Sequence, residues 1–270
     1  MNQIEKARRL LQLHDPGAPL LLANAWDAGS ARLLESLGYK ALATTSSGFA
    51  ATLGRLDGSV SRDEALAHAG HLVTATQLPV SADFENGFAD EPAAVAANFE
   101  LAMATGLAGA SIEDYTGDGA APIYEAALAA ERVAAAVAVA HAGPVHFVVT
   151  ARTEIYLHDQ ADLDEALRRI QSFKDAGADV LFVPGMTDLD DIRRTVEVGL
   201  PVNVLLRPSG PTVAELAAVG VARVSVGGSF AFAAYGAVME AAKAWLEHQT
   251  ADWFAASGAG GKRARAAFSG

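Results

Sequence analysis

The 270-residue sequence contains no cysteine. That excludes disulfides, thiolate zinc sites, iron–sulfur clusters and cysteine nucleophiles. Charge is sparse, at 19% of residues, and unbalanced: 20 Lys plus Arg face 32 Asp plus Glu, a formal net charge of −12. A surface of that sign repels phosphate backbones and anionic headgroups, so neither a nucleic acid nor a membrane is expected as a partner. No uninterrupted apolar run approaches the roughly 20 residues of a spanning helix. The opening MNQIEKARRLLQLHDPG has no apolar signal core. What is present is a 51% hydrophobic composition, too apolar for a disordered chain and long enough for a large core. A cytoplasmic globular protein is expected.

Eight β-type runs recur: LLLAN, ALATTSS, LPVSAD, AGASIED, VHFVVTAR, DVLFVPG, PVNVLL and RVSVGG. Amphipathic or Ala-rich stretches separate them, the order of a parallel sheet covered by helices. Ser61 with Glu64, Asp162 with Glu165 and Thr212 with Glu215 have capping-box spacing. Gly38, Gly106, Gly177, Gly199 and Gly220 fall where helices should stop. Eight such units in about 250 residues predict a (β/α)8 TIM-type barrel. The alternative, a doubly wound open sheet, lacks its Gly-x-Gly-x-x-Gly after the first strand, where ANAWDAGS stands. Met1 to His14, with Ile4, Ala7 and Leu11 on one face, predicts an extra N-terminal helix. Residues 1–250 read as one barrel domain and 251–270 as a flexible or subunit-contacting tail.

In such barrels chemistry gathers at the C-terminal ends of the strands. The polar strand ends here are Thr44 to Gly48, Asp83 with Glu85, Glu113 with Asp114, Arg152 with Glu154, Asn203, and Gly227 to Ser229. Strand alternation predicts that Asp83 and Glu85 leave the third strand on one side, with Glu113 ending the next. Clustered carboxylates repel unless a cation or protons compensate, so they either hold Mg²⁺ or Mn²⁺ or pair with Arg152 across the mouth. Ser47 and Gly48 can cradle a carboxylate or form an ordinary turn. Asp57 lies in an accessible loop. Arg152 ends a very apolar strand, where its planar fork should meet an anion. His68 and His71 read as a solvated helix face, while His158 and Tyr156 lie within reach of the mouth. Gly227 and Gly228 before the last helix would suit a phosphate or a plain turn.

In this order, SSG (46–48), GRLD (54–57), DFENGF (83–88), IED (112–114) and AR (151–152) resemble the isocitrate lyase/phosphoenolpyruvate mutase superfamily. The resemblance implies Asp83 as the direct Mg²⁺ ligand, with Glu85 and Glu113 reaching the ion through water. It implies that Ser47, Gly48 and Arg152 hold the oxyanion end of a 2-oxo acid, and that Asp57 sits at the reacting centre as a nucleophile or as an orienting or proton-transfer group; Thr45 and Asn203, as polar strand ends, are expected to bind substrate too. It also implies an enolate of a small 2-oxo carboxylate, and a tetramer with a swapped last helix. The departures are specific. The Lys-Lys-Cys-Gly-His loop of isocitrate and methylisocitrate lyases is replaced by YTGDGAAPIYEA, Glu85 replaces a second Asp, and Thr45 stands where mutases carry Trp. The expected activity is cleavage of a carbon–carbon bond in a 2-hydroxy or 2-oxo di- or tricarboxylate. Oxaloacetate decarboxylation, phosphonopyruvate hydrolysis and plain binding of a 2-oxo acid are the alternatives.

Overall fold

The computed structural model describes residues 1–269. Eight parallel strands close into a barrel in chain order. They are β1 (Leu20–Asn24), β2 (Leu42–Ala43), β3 (Val80–Ala82) and β4 (Gly109–Glu113), then β5 (Val148–Arg152), β6 (Val180–Phe182), β7 (Val202–Leu205) and β8 (Arg223–Ser225). The helices begin with α1 (Gln3–Gln12), α2 (Ala28–Ser36), α3 (Ser46–Thr52) and α4 (Arg62–Ala75). They continue with α5 (Pro92–Ala104), α6 (Ala126–Ala140), α7 (Leu163–Asp175) and α8 (Leu189–Val196). The last are α9 (Val213–Ala218), α10 (Ser229–His248) and α11 (Phe254–Phe268).

The expected punctuation is in place. Ser61 and Thr212 form reciprocal capping boxes with Glu64 and Glu215, and the Asp162 side chain accepts from the Glu165 N–H. Gly106 and Gly177 end α5 and α7 at φ +89° and +95°, where a side chain is strained. Between sheet and helices lies the main core, in which Phe99 meets Phe84 and Phe147 edge-on at 5.6 and 6.3 Å. Each buried ring contributes about 1.5–3 kcal/mol by removal from water.

α1 closes the N-terminal end of the barrel. Ala7 and Leu10 pack on Leu20, Leu22, Val148 and Val180, while Lys6 Nζ donates to the Thr76 carbonyl at 3.1 Å. The chain then turns at His14, which is buried. Its Nδ1–H donates to the Leu10 carbonyl at 2.9 Å, leaving Nε2 to accept from Arg223 Nη1 at 3.2 Å. Burial first, and the Arg223 charge second, lower the His14 pKa to about 3. The unfolded imidazole titrates near 6.5. Between those values only the unfolded chain takes up the proton, so stability is complete above pH 6.5 and declines as pH falls towards 3. Between pH 6.5 and 5, His14→Gln should lose close to one proton's worth of pH slope, about 1.4 kcal/mol per pH unit. Urea unfolding across that range measures it, and parallel slopes for both proteins would refute the assignment.

The segment read as a flexible or subunit-contacting tail contains a second helix, α11, resting against α2. Its recurrent alanines favour helix despite three glycines, and Lys262, Arg263 and Arg265 sit toward the negative end of its dipole. Of α10, only Ala231 is buried; Phe232, Val238, Met239, Trp245 and Leu246 face solvent. Among the described residues, no helix is long and apolar enough to cross a membrane.

Candidate active site

The loops at the C-terminal ends of the strands enclose a cavity of about 180 Å³. Thr45, Ser46, Ser47, Asp57, Asp83 and Arg152 line its upper part, and Asn203, Arg223 and Ser225 lie among its other walls.

Asn24 organises one side of the rim. Its Oδ1 accepts from the Val226 and Gly227 N–H groups at 3.1 and 2.9 Å, and its Nδ2 donates to the Thr44 carbonyl at 2.7 Å. One side chain thus clips β1 to its neighbours β2 and β8. It also takes the Gly227 N–H, one of the donors that a phosphate there would need. The polar end of LLLAN was the sequence signal for this residue.

After β2 the chain enters α3 directly. Thr45 caps the helix, accepting from the Gly48 N–H at 3.2 Å. The Ser46 N–H and O–H both donate to Asp83 Oδ2, at 3.1 and 3.0 Å. Two of the first three helical N–H groups are therefore used within the protein, and Ser47 is left as the donor facing the cavity. The Gly48 N–H, expected to face a ligand, is bonded to Thr45 in this structure. Gly48 serves close packing: an added Cβ would lie 2.5 Å from Thr45 Cγ2 and 3.2 Å from Trp26 Cβ.

The carboxylates meet for a different reason than strand alternation. β3 ends at Ala82, so Asp83 and Glu85 lie in the following turn, closed by the Gly87 N–H to the Phe84 carbonyl at 2.9 Å. Glu85 has φ +48°, an unusual conformation for a residue with a side chain. Its carbonyl accepts from the Glu113 N–H at 3.0 Å, joining the two strand ends.

Arg152 stands among these acids. It reaches Asp83 at 3.5 Å and Glu113 at 3.4 Å, and its Nε bonds Glu154. Burial alone would lower its pKa, but Glu113, Glu154 and Asp83 reverse that and hold it protonated. One guanidinium does not balance the cluster. Burial, then Asp83 and Asp57, push Glu85 up to about 8 against the pull of Arg152. Burial also takes Glu113 well above the usual range, with Arg152 opposing and Glu154 adding. Asp57 is exposed as a residue, yet its carboxyl leans on the mouth. Desolvation there, opposed by Ser46 and helped by Asp83, raises its pKa.

Hard oxygen donors with surplus negative charge fit a divalent cation such as Mg²⁺ or Mn²⁺. The carboxylates are not drawn into one tight set of ligands. Among the described residues, three ligand atoms lie within 4.8 Å of one another only at His141, His146 and Asp179. That trio belongs to the opposite end of the barrel, where Asp179 accepts from the Val149 N–H at 2.8 Å and from both imidazoles.

Asp114, beside Glu113, is a buried tie. It accepts from the Glu154 N–H at 2.8 Å, from Thr153 Oγ1 at 2.7 Å and from Arg169 at 3.1 Å. The loop after β4 folds on itself: Tyr115 bridges Ile123, and the Thr116 N–H donates to the Pro122 carbonyl at 2.8 Å. Tyr115 stacks on His158 at 4.2 Å, and His158 lies 3.7 Å from Glu154, the residue that bonds Arg152 Nε. His68 differs from expectation. It is buried, stacked on Phe49 at 3.8 Å and bonded to the Trp26 carbonyl, because the β2 loop covers that helix face.

Known proteins are similar to this chain over most of its length. Residues 10–246 match the phosphoenolpyruvate phosphomutase family. The chain is 31% identical to 2-methylisocitrate lyase of Salmonella typhimurium over 221 residues, 75% of this chain and 74% of that protein. It is 32% identical to oxaloacetate decarboxylase of Paraburkholderia xenovorans over 204 residues, 72% and 67% of the two chains. A Burkholderia cenocepacia structure, provisionally described as a lyase/mutase, superposes with TM-score 0.88 at 48% identity, covering 92% of this chain and 90% of that one. The chain belongs to the isocitrate lyase/phosphoenolpyruvate mutase superfamily.

Proposed function

We propose that the protein is a divalent-metal-dependent carbon–carbon lyase acting on a small 2-hydroxy or 2-oxo di- or tricarboxylate through an enolate. The observation that carries this reading is the mouth itself. Asp57, Asp83, Glu85, Glu113 and Glu154 surround the single guanidinium of Arg152, beside the hydroxyls of Ser46 and Ser47. Asp83 would hold the ion, with Glu85 and Glu113 acting on it through water. A bound Mg²⁺ or Mn²⁺ would stabilise charge developing on the enolate oxygen.

The side chains supply the rest. Arg152 presents a fork to the substrate carboxylate, and Ser47 donates to its oxygens. Thr45 and Gly48 shape that wall, one by capping α3 and the other by close packing. Asp57, with its raised pKa, is suited to accept or return a proton at the reacting carbon or hydroxyl. One observation favours decarboxylation of oxaloacetate within this class. The loop from Tyr115 to Ala126 offers neither Cys nor Lys as a strong acid/base. Loss of CO2 leaves an enolate that needs only a modest acid at C3.

Purified protein with Mg²⁺, offered isocitrate, 2-methylisocitrate, oxaloacetate and phosphonopyruvate, should release pyruvate or glyoxylate from at least one carbon–carbon substrate. If no substrate turns over faster than with Asp83→Ala, the lyase reading fails. Oxalate binding retained in that case would mark a 2-oxo acid binder.

The proposed assembly is a homo-tetramer in which a second copy covers the apolar face of α10. Light scattering should then give about four times the chain mass, and Trp245→Glu combined with Met239→Glu should give smaller species. A monomeric native protein would refute the assembly.

A further inference from the structure

The end of the barrel away from the mouth carries a cluster that the proposed chemistry does not use. His141 caps the C-terminus of α6, His146 lies just before β5, and Asp179 immediately precedes β6. Pairing of β5 with β6 brings the three together. The two imidazoles stack nearly parallel, 19° apart with centroids at 4.1 Å, and both aim Nε2 at one carboxylate. His141 Nε2 is 3.1 Å from Asp179 Oδ2, and His146 Nε2 is 2.7 Å from Oδ1.

The start of β6 is fixed without the histidines. Asp179 Oδ2 accepts from the Val149 N–H at 2.8 Å, and the Asp179 N–H donates to the Val149 carbonyl at 3.0 Å. What the imidazoles add is a convergence of ligand atoms, all three within 4.8 Å of one another. Bonds of about 2.0–2.1 Å to Zn²⁺ at tetrahedral angles separate ligand atoms by roughly 3.3 Å. The two short gaps therefore need to open by less than an ångström. The sequence agrees, since His-x4-His over residues 141–146 falls within the spacing that zinc sites use. Oδ1 can take the ion while Oδ2 keeps the Val149 N–H, the kind of hydrogen bond that orients a ligating carboxylate. The end of α6 turns the negative pole of its dipole towards the same place. The His146 side chain is 45% exposed, so water can complete the coordination.

We propose that His141, His146 and Asp179 form a transition-metal site of the Zn²⁺ class, which clamps the turn between α6 and β5 to the start of β6. Imidazole selects such an ion over Mg²⁺. On binding, each neutral ring carries its proton on Nδ1 and offers the Nε2 lone pair. The site is independent of the lyase reading, because it lies at the face of the barrel that stabilises rather than reacts.

Calorimetry on untagged, chelator-stripped protein in excess Mg²⁺ tests this with Zn²⁺ itself. The wild-type chain should bind a Zn²⁺ equivalent that His146→Gln binds at least about 100-fold more weakly, more than loss of a hydrogen bond to a ligand costs. His141→Gln should give the same loss from the other ring. Asp83→Ala should keep that equivalent, which separates it from the metal proposed at the mouth. Saturating Zn²⁺ should raise the melting temperature of the wild-type protein by more than that of His146→Gln, because only the folded chain assembles the three ligands. Equal Zn²⁺ uptake by the wild-type chain and both histidine variants, or none by any, overturns the site. An equivalent bound by the trio without the difference in melting temperature overturns the clamp.

Discussion

Turnover by Asp83→Ala is expected to fall on the order of a thousandfold, about 4 kcal/mol of transition-state stabilisation. Asp83 stands where the most interactions of the mouth converge. Both the N–H and the hydroxyl of Ser46 point at it, and Arg152 lies 3.5 Å away. Its charge also helps to raise Glu85, Glu113 and Asp57. Removing it therefore relieves repulsion while deleting the proposed metal ligand. The two effects separate experimentally: the melting temperature in metal-free buffer should hold or rise, while the requirement for Mg²⁺ disappears along with the activity. Asp83→Asn keeps the shape and loses the charge, so it should be nearly as inactive. A variant that keeps a tenth of native turnover and an unchanged Mg²⁺ requirement would sink the assignment.

Arg152→Met should destabilise the protein by about 3–5 kcal/mol at pH 8, the usual effect of leaving buried charges without their partner. The loss should shrink at pH 5.5. Glu113 already sits above the ordinary carboxylate range, and without Arg152 both it and Glu154 lose their opposing cation. A carboxylate whose folded pKa exceeds its unfolded value of about 4.3 weakens the fold increasingly as pH rises through that interval. At lower pH the protons replace the missing guanidinium. Urea unfolding at the two pH values reads the difference, and an equal loss at both would mean that Arg152 acts by packing alone. Arg152→Lys should restore part of the stability and little of the catalysis, because an ammonium cannot reproduce the fork.

The barrel was legible in the sequence because its signals are local and repeated. Eight apolar runs, paired caps at Ser61 and Thr212 and glycines such as Gly106 each act within a few residues. The membership of the rim was legible too, since Asp57, Asp83 and Arg152 all line one cavity. Its wiring was not. Asp83 and Glu85 converge through a turn with a left-handed residue, which strand alternation cannot anticipate. Nor was the bond by which Thr45 takes the Gly48 N–H legible, since in sequence such a cap reads the same as an open Ser-Gly turn. Arg223 passed unnoticed at the head of RVSVGG, where a charge looks like a strand boundary; only barrel closure brings it opposite Thr150. The C-terminal glycines masked a helix that the alanines between them favour.

The loop after β4 has a practical consequence. Its Tyr115–Ile123 bridge and Thr116–Pro122 hydrogen bond close within the segment, and the Tyr124 N–H returns to the Asp114 carbonyl at 2.9 Å. Asp114 meanwhile is anchored independently, by Thr153, Glu154 and Arg169. The segment is built as a cassette with its own fastening, inserted between two fixed posts. The segment could be exchanged as a block of about a dozen residues, provided that the Tyr115 stack on His158 and the bond from Arg169 to the Tyr124 carbonyl are kept.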